Sequence, residues 1–149
     1  MKKLVMLASA AVLALSLNSC SSDDNGGGGV SDAKLVGKWA HETERVVAGG
    51  QVLQPEQPYS DNEAGCAKDF IQFGETGAFT YGDYWSSECD LDTDVTTWTR
   101  DGKDITVGEG TEAETFTVMS VSATKLKVKY VTTLQGVNFT EELTFSKVD

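Results

Sequence analysis

The feature that most constrains this chain is an alternation of apolar and polar residues. Residues 125–132 read KLKVKYVT: Leu126, Val128 and Tyr130 fall on one face, and Lys125, Lys127 and Lys129 on the other. A period of two with one wet face belongs to a half-buried β-strand. In 115–121, Phe116 and Val118 oppose Thr117 and Met119. In 137–147, Phe139, Leu143 and Phe145 oppose Thr140, Glu142 and Thr144. Glu141 breaks that last pattern. Either a bulge turns it outward, or it is a buried polar group facing a cavity. Five more segments read as strands: 36–47, 68–73, 78–85, 95–100 and 103–107. No helical period occurs after the first twenty residues, apart from one turn at 31–35 with Ser31 as its N-cap.

Most links between these segments are short and turn-like. Asp101-Gly102 is a two-residue hairpin signal. Residues 74–77 (GETG), 122–124 (SAT) and 134–136 (LQG) join other neighbours. Consecutive strands joined this way form an antiparallel meander. Eight of them can close on themselves and abolish the exposed edges. The expected fold is all-β, an eight-stranded antiparallel up-and-down barrel, with a β-sandwich as the alternative. An eight-stranded barrel has room for side chains or one small ligand.

The first residues do not belong to that fold. Met1-Lys2-Lys3 is followed by the apolar run 4–17, of secretory rather than bilayer-spanning length. Leu17-Asn18-Ser19-Cys20 resembles a bacterial lipobox. The resemblance implies cleavage after residue 19 and acylation of Cys20, with several acyl chains giving a stable anchor. Residues 20–30 lack periodicity and contain four glycines, so a flexible tether is expected. Ser21-Ser22-Asp23-Asp24 resembles the acidic export signal of Bacteroidota lipoproteins. The expected organisation is signal peptide 1–19, tether 20–30 and barrel 31–149. The expected location is the outer membrane, lipid-anchored and surface-exposed, with a periplasm-facing orientation as the alternative.

In an exported chain, the two remaining cysteines invite one disulfide. In a meander, the links before residue 68 and after residue 85 emerge at the same end, which brings Cys66 and Cys89 together. Such a crosslink is worth about 3 kcal/mol in the chain-entropy treatment. The same alternation gathers acids at that end. Glu88, Asp90, Asp92, Asp94, Glu109 and Glu112 form a candidate acidic rim, and the links that hold them contain no Lys or Arg. Removing the two lysines of the leader takes the formal net charge from −11 to −13. That charge argues against nucleic acid as a partner. It also leaves membrane attachment to the lipid.

Leu35-Val36-Gly37-Lys38-Trp39 resembles the Gly-x-Trp opening of lipocalins, whose tryptophan closes the bottom of the barrel. Residues 66–73 (CAKDFIQF), 77–80 (GAFT) and 97–102 (TWTRDG) resemble lipocalin-like domains of Bacteroidota lipoproteins. The resemblance spans about 33–148. It implies a barrel whose interior or ligand cavity is lined by Trp39, Phe73, Phe116, Tyr130 and Phe145. Lipocalins commonly stack a late arginine on the Gly-x-Trp tryptophan. Here the last strands offer only Lys129 and Lys147, and no helix is expected after residue 147, so the barrel reads as reduced.

Catalytic signatures are missing: no GxSxG, P-loop, HExxH or GxGxxG occurs. His41 is the only histidine and reads as a packed wall residue sharing a face with Trp39 and Thr43. Asp90, Asp92 and Asp94 imitate the start of an EF-hand loop, but Val95 stands where that loop needs glycine. No cofactor or resident metal is expected. The expected role is non-enzymatic binding of a small molecule or glycan-derived ligand. The alternative is an interaction component of an envelope complex with a filled barrel.

Overall fold

The computed structural model describes residues 29–148. The signal-peptide reading, Cys20 and most of the tether lie outside the described residues. A single helical turn, α1 (Asp32–Leu35), precedes nine strands: β1 (Gly37–Ala48), β2 (Gln51–Pro58), β3 (Phe70–Phe73), β4 (Ala78–Tyr84), β5 (Leu91–Asp101), β6 (Asp104–Val107), β7 (Glu114–Val121), β8 (Lys125–Leu134) and β9 (Val137–Val148). All pairings are antiparallel between consecutive strands from β3 to β9. β1 closes the ring by pairing with β3 on one side and β9 on the other. The expected eight-stranded barrel is present.

The ninth strand corrects the sequence reading. Residues 48–67 are not one long link. β2 pairs with the second half of β1, Thr43–Ala48, beyond the point where β1 leaves β3. The turn is Gly49-Gly50, with φ of +56° and +81°. Glycine meets that left-handed requirement without a Cβ penalty, as a two-residue hairpin needs. β2 lacks an alternating pattern, and its only neighbour is β1. Pro55 and Pro58 fit such an edge position.

Two smaller corrections concern register. The β5–β6 turn residues are Gly102 and Lys103, since Asp101 still pairs with Asp104. β1 carries a bulge between His41 and Thr43 on its β9 side. Trp39 and His41 face inward before it, and Glu44 faces inward after it. Thr43 therefore does not share the face of Trp39. Its hydroxyl donates to Glu56 Oε1 at 2.7 Å outside the barrel. An extra residue in one strand inverts every later side chain.

The two ends of the barrel differ. At the end where α1 sits, Leu35, Trp39, Phe73, Trp98, Ile105, Val118, Leu126 and Val128 form a buried core. Phe73 meets the rings of Phe79, Trp98 and Phe116 edge to face. The Trp39 and Trp98 indole N–H groups donate to the carbonyls of Leu35 and Gly74. This end is filled. The other end carries the Gly49-Gly50 turn, segment 59–69, loop 85–90, segment 108–113 and the Gln135-Gly136 turn. The Cys66–Cys89 disulfide staples the first two of those longer segments there, with the Cα atoms 5.3 Å apart.

Candidate functional site

The open end holds a cavity of about 810 Å³. Its floor and lower walls are apolar: Ile71 from β3, Phe79 from β4, Val107 from β6, Phe116 from β7, and Leu143 and Phe145 from β9. Tyr59, Tyr81 and Tyr130 line it higher up. Of the five expected interior residues, Phe116, Tyr130 and Phe145 line the cavity. Trp39 and Phe73 do not; they are buried in the filled end.

Six carboxylates also line the cavity: Glu44, Asp61, Asp83, Asp94, Glu114 and Glu141. No Lys or Arg does. Five arrive by strand alternation or by the β1 bulge, and Asp61 comes from segment 59–69. Glu141 is two positions from Leu143 on β9, so the break in that strand's pattern is a polar group facing a cavity. Burial pushes its pKa up, and the nearby carboxylates Glu44 and Asp61 push it further. Glu44 is buried, and its Oε1 accepts from the amides of Gln54 (2.9 Å) and Gln57 (3.0 Å) on β2. Asp83 stands opposite Asp92 across the β4–β5 ladder, a like-charge pairing that costs stability.

The expected rim is redistributed by this geometry. Asp92 and Asp94 lie within β5, not in a loop, because that strand starts at Leu91. Of the six rim candidates only Asp94 lines the cavity. Glu88, Asp90, Asp92, Glu109 and Glu112 are exposed, as is Asp94 itself. Asp90 accepts from the Ser86 hydroxyl, and Glu109 from that of Thr97. Sequence reading missed Glu44, Asp83, Tyr59 and Tyr81 as a group. The signal for Tyr81 and Asp83 was present, since both share the face of Phe79. The signal for Glu44 was hidden by the bulge.

His41 also lines the cavity. It is 4% exposed, stacked on Tyr59 with ring centroids 4.1 Å apart, and tilted against Phe145 at 4.3 Å. Neither ring nitrogen has a hydrogen-bond partner among the described residues. Burial lowers its pKa to about 3, so the ring is neutral at physiological pH. Tyr59 comes from the strap that follows β2. The Asn62 amide fixes that strap by donating to the His41 carbonyl at 3.1 Å. Among the described residues no group of three or more His, Cys, Asp or Glu is arranged to hold a metal ion.

A family of lipocalin-like domains matches residues 35–128. No curated protein sequence matches the chain. A lipocalin-like protein from Bacteroides uniformis superposes with a TM-score of 0.53 at 17% identity, covering 77% of this chain and 99% of that one. An uncharacterized protein from Bacteroides eggerthii gives 0.49 at 15% identity, over 76% and 99%. Bovine odorant binding protein, in complex with a selenium-containing odorant, gives 0.45 at 14% identity, over 87% and 78%. At such identities the first likeness concerns the fold alone.

Proposed function

The chain belongs to the lipocalin-like domain family, and from that premise we propose that it is a lipid-tethered binding protein of the bacterial outer surface, holding a small organic molecule in the open end of its barrel. The observation that carries the reading is the cavity. Its volume of about 810 Å³ exceeds the ~300 Å³ at which ligand pockets begin. A barrel serving only as a spacer gains nothing from leaving a cavity of that size unpacked, since each buried large apolar side chain contributes about 1.5–3 kcal/mol. The role is binding rather than catalysis. The one histidine is buried between aromatic rings, with no nucleophile bonded to it among the described residues.

The tether supports the same reading. The lipobox-like LNSC ends at Cys20, and α1 leads into β1 at the filled end. A lipid on Cys20 then pulls on the filled end and leaves the mouth turned away from the membrane. Native mass spectrometry of protein purified from its host tests the binding role. A co-purified small molecule, lost on filling the cavity with Val107→Trp, is the expected result. Fatty-acid labelling that persists in Cys20→Ala would defeat the tether.

A further inference from the structure

We infer that the ligand is a small organic cation: a protonated amine whose charged group sits among the mouth carboxylates and whose apolar or aromatic body rests on the floor. The inference rests on the reading of the barrel as a binding protein and names the class of ligand.

Five of the six cavity carboxylates are placed by the strands; Asp61 alone lies in a loop. The ion pairs of the described residues are Arg45–Glu142, Lys68–Glu42 and Arg100–Asp32. None of them uses a cavity carboxylate. Acids that merely keep a protein soluble belong on the outside. Here the period-two geometry puts Asp83, Asp94, Glu114 and Glu141 on the inner face of the barrel, around an open mouth where Asp94, Glu114 and Glu141 remain solvent-exposed, and their summed field reaches a ligand as it enters. That field repels an anion and draws in a cation.

His41 shapes the wall of the same cavity. Its ring is neutral and 4% exposed, with both nitrogens covered by protein, so it opposes no cation with a charge of its own. Tyr81 and Phe145 line the cavity beside it and give the ligand's body an aromatic wall. A metal ion is a poorer fit, since the carboxylates are spread around the mouth and among the described residues no three ligating groups converge.

The test uses matched probes that differ only in charge. Tryptamine, tryptophol and indole-3-acetate share one body; octylamine, octanol and octanoate share another. Calorimetry on the intact barrel domain at 20 mM and 500 mM salt should show at least one amine binding about tenfold tighter than its alcohol at low salt, with the advantage shrinking at high salt. The matching carboxylate should bind more weakly than the alcohol. Glu141→Gln should remove much of the amine's advantage over its alcohol, while the thermal midpoint holds or rises because repulsion is relieved. Alcohols or carboxylates that bind as well as the amines would overturn the charge assignment and leave the binding role standing. If no probe of any charge binds, both readings fall.

Discussion

The Lys147 ammonium lies 4.3 Å from the centre of the Trp39 ring, directly across the β1–β9 ladder. It also donates to the Val36 carbonyl. Gly37 makes room for it. A Cβ on Gly37 would sit 2.5 Å from Lys147 Nζ, and the φ there is +123°. The glycine and the tryptophan of the Gly-Lys-Trp opening thus serve one contact, and a lysine occupies the place where lipocalins commonly use arginine.

Lys147→Met should therefore lower stability by about 0.5–2 kcal/mol, the worth of a partly desolvated cation–π contact. Gly37→Ala should cost more, because it displaces the ammonium and strains the backbone. In a double-mutant cycle followed by urea unfolding, the two losses should fall short of adding. Full additivity would mean that Gly37 and Lys147 act separately.

Gly82 makes a second close approach, on the outer wall. A Cβ there would run into the Phe70 ring. Phe70 is buried under the Lys38 ammonium, 3.6 Å from its ring centre, and cannot swing away freely. Gly82→Ala should destabilise the barrel by about 1–3 kcal/mol through overpacking. The loss should shrink in a Phe70→Leu background. Since neither residue lines the cavity, probe binding by the folded fraction should be unaltered.

The disulfide anchors the strap that carries Tyr59 and Asp61 to the loop after β4. Replacing Cys66 and Cys89 by serine should cost about 3 kcal/mol in denaturant unfolding. Hydrogen exchange should rise first in segment 59–69, which has few ladder bonds of its own. Unchanged exchange there, with lowered global stability, would assign the crosslink to the unfolded chain alone.

Much of this was legible in the sequence, and the rest was hidden for identifiable reasons. The strands with a clean period of two, such as β8, carry their own register, so barrel closure and the meeting of Cys66 with Cys89 followed from counting links. β2 was hidden because its order comes from pairing with β1 rather than from its own pattern; only Gly49-Gly50 betrayed it. The start of β5 was missed because Asp92 and Asp94 look like loop residues. They are tolerated in a strand because they stand at the wet mouth. The cavity itself had local signs in Glu141 on an apolar face and in Tyr81 and Asp83 on the face of Phe79. Glu44 could not be read, because a one-residue bulge reverses the faces of β1 and leaves no trace in composition.

His41 supplies a test in pH. The ordinary histidine pKa is 6.5, and burial lowers this one to about 3 in the folded protein. Below pH 6.5 the unfolded chain takes up a proton that the folded barrel refuses. Stability is therefore complete above pH 6.5 and falls as pH drops toward 3, at no more than about 1.4 kcal/mol per pH unit. Two carboxylates modify the slope. Glu141, whose pKa is raised, protonates first in the folded state and adds stability as pH falls through its own range. Glu42, lowered chiefly by its hydrogen bonds to Lys68 and Ser146, loses stability only at more acid pH. Comparing wild type with His41→Phe removes both, since neither carboxylate is changed. Between pH 7 and pH 5 wild type should lose about 2 kcal/mol relative to the variant in urea unfolding. The variant should be at least as stable at pH 7, because phenylalanine keeps the packing on Tyr59 and Phe145 and brings no orphaned nitrogen. Parallel pH curves for the two proteins would mean that His41 titrates as if in water, and that the ring is not buried in solution.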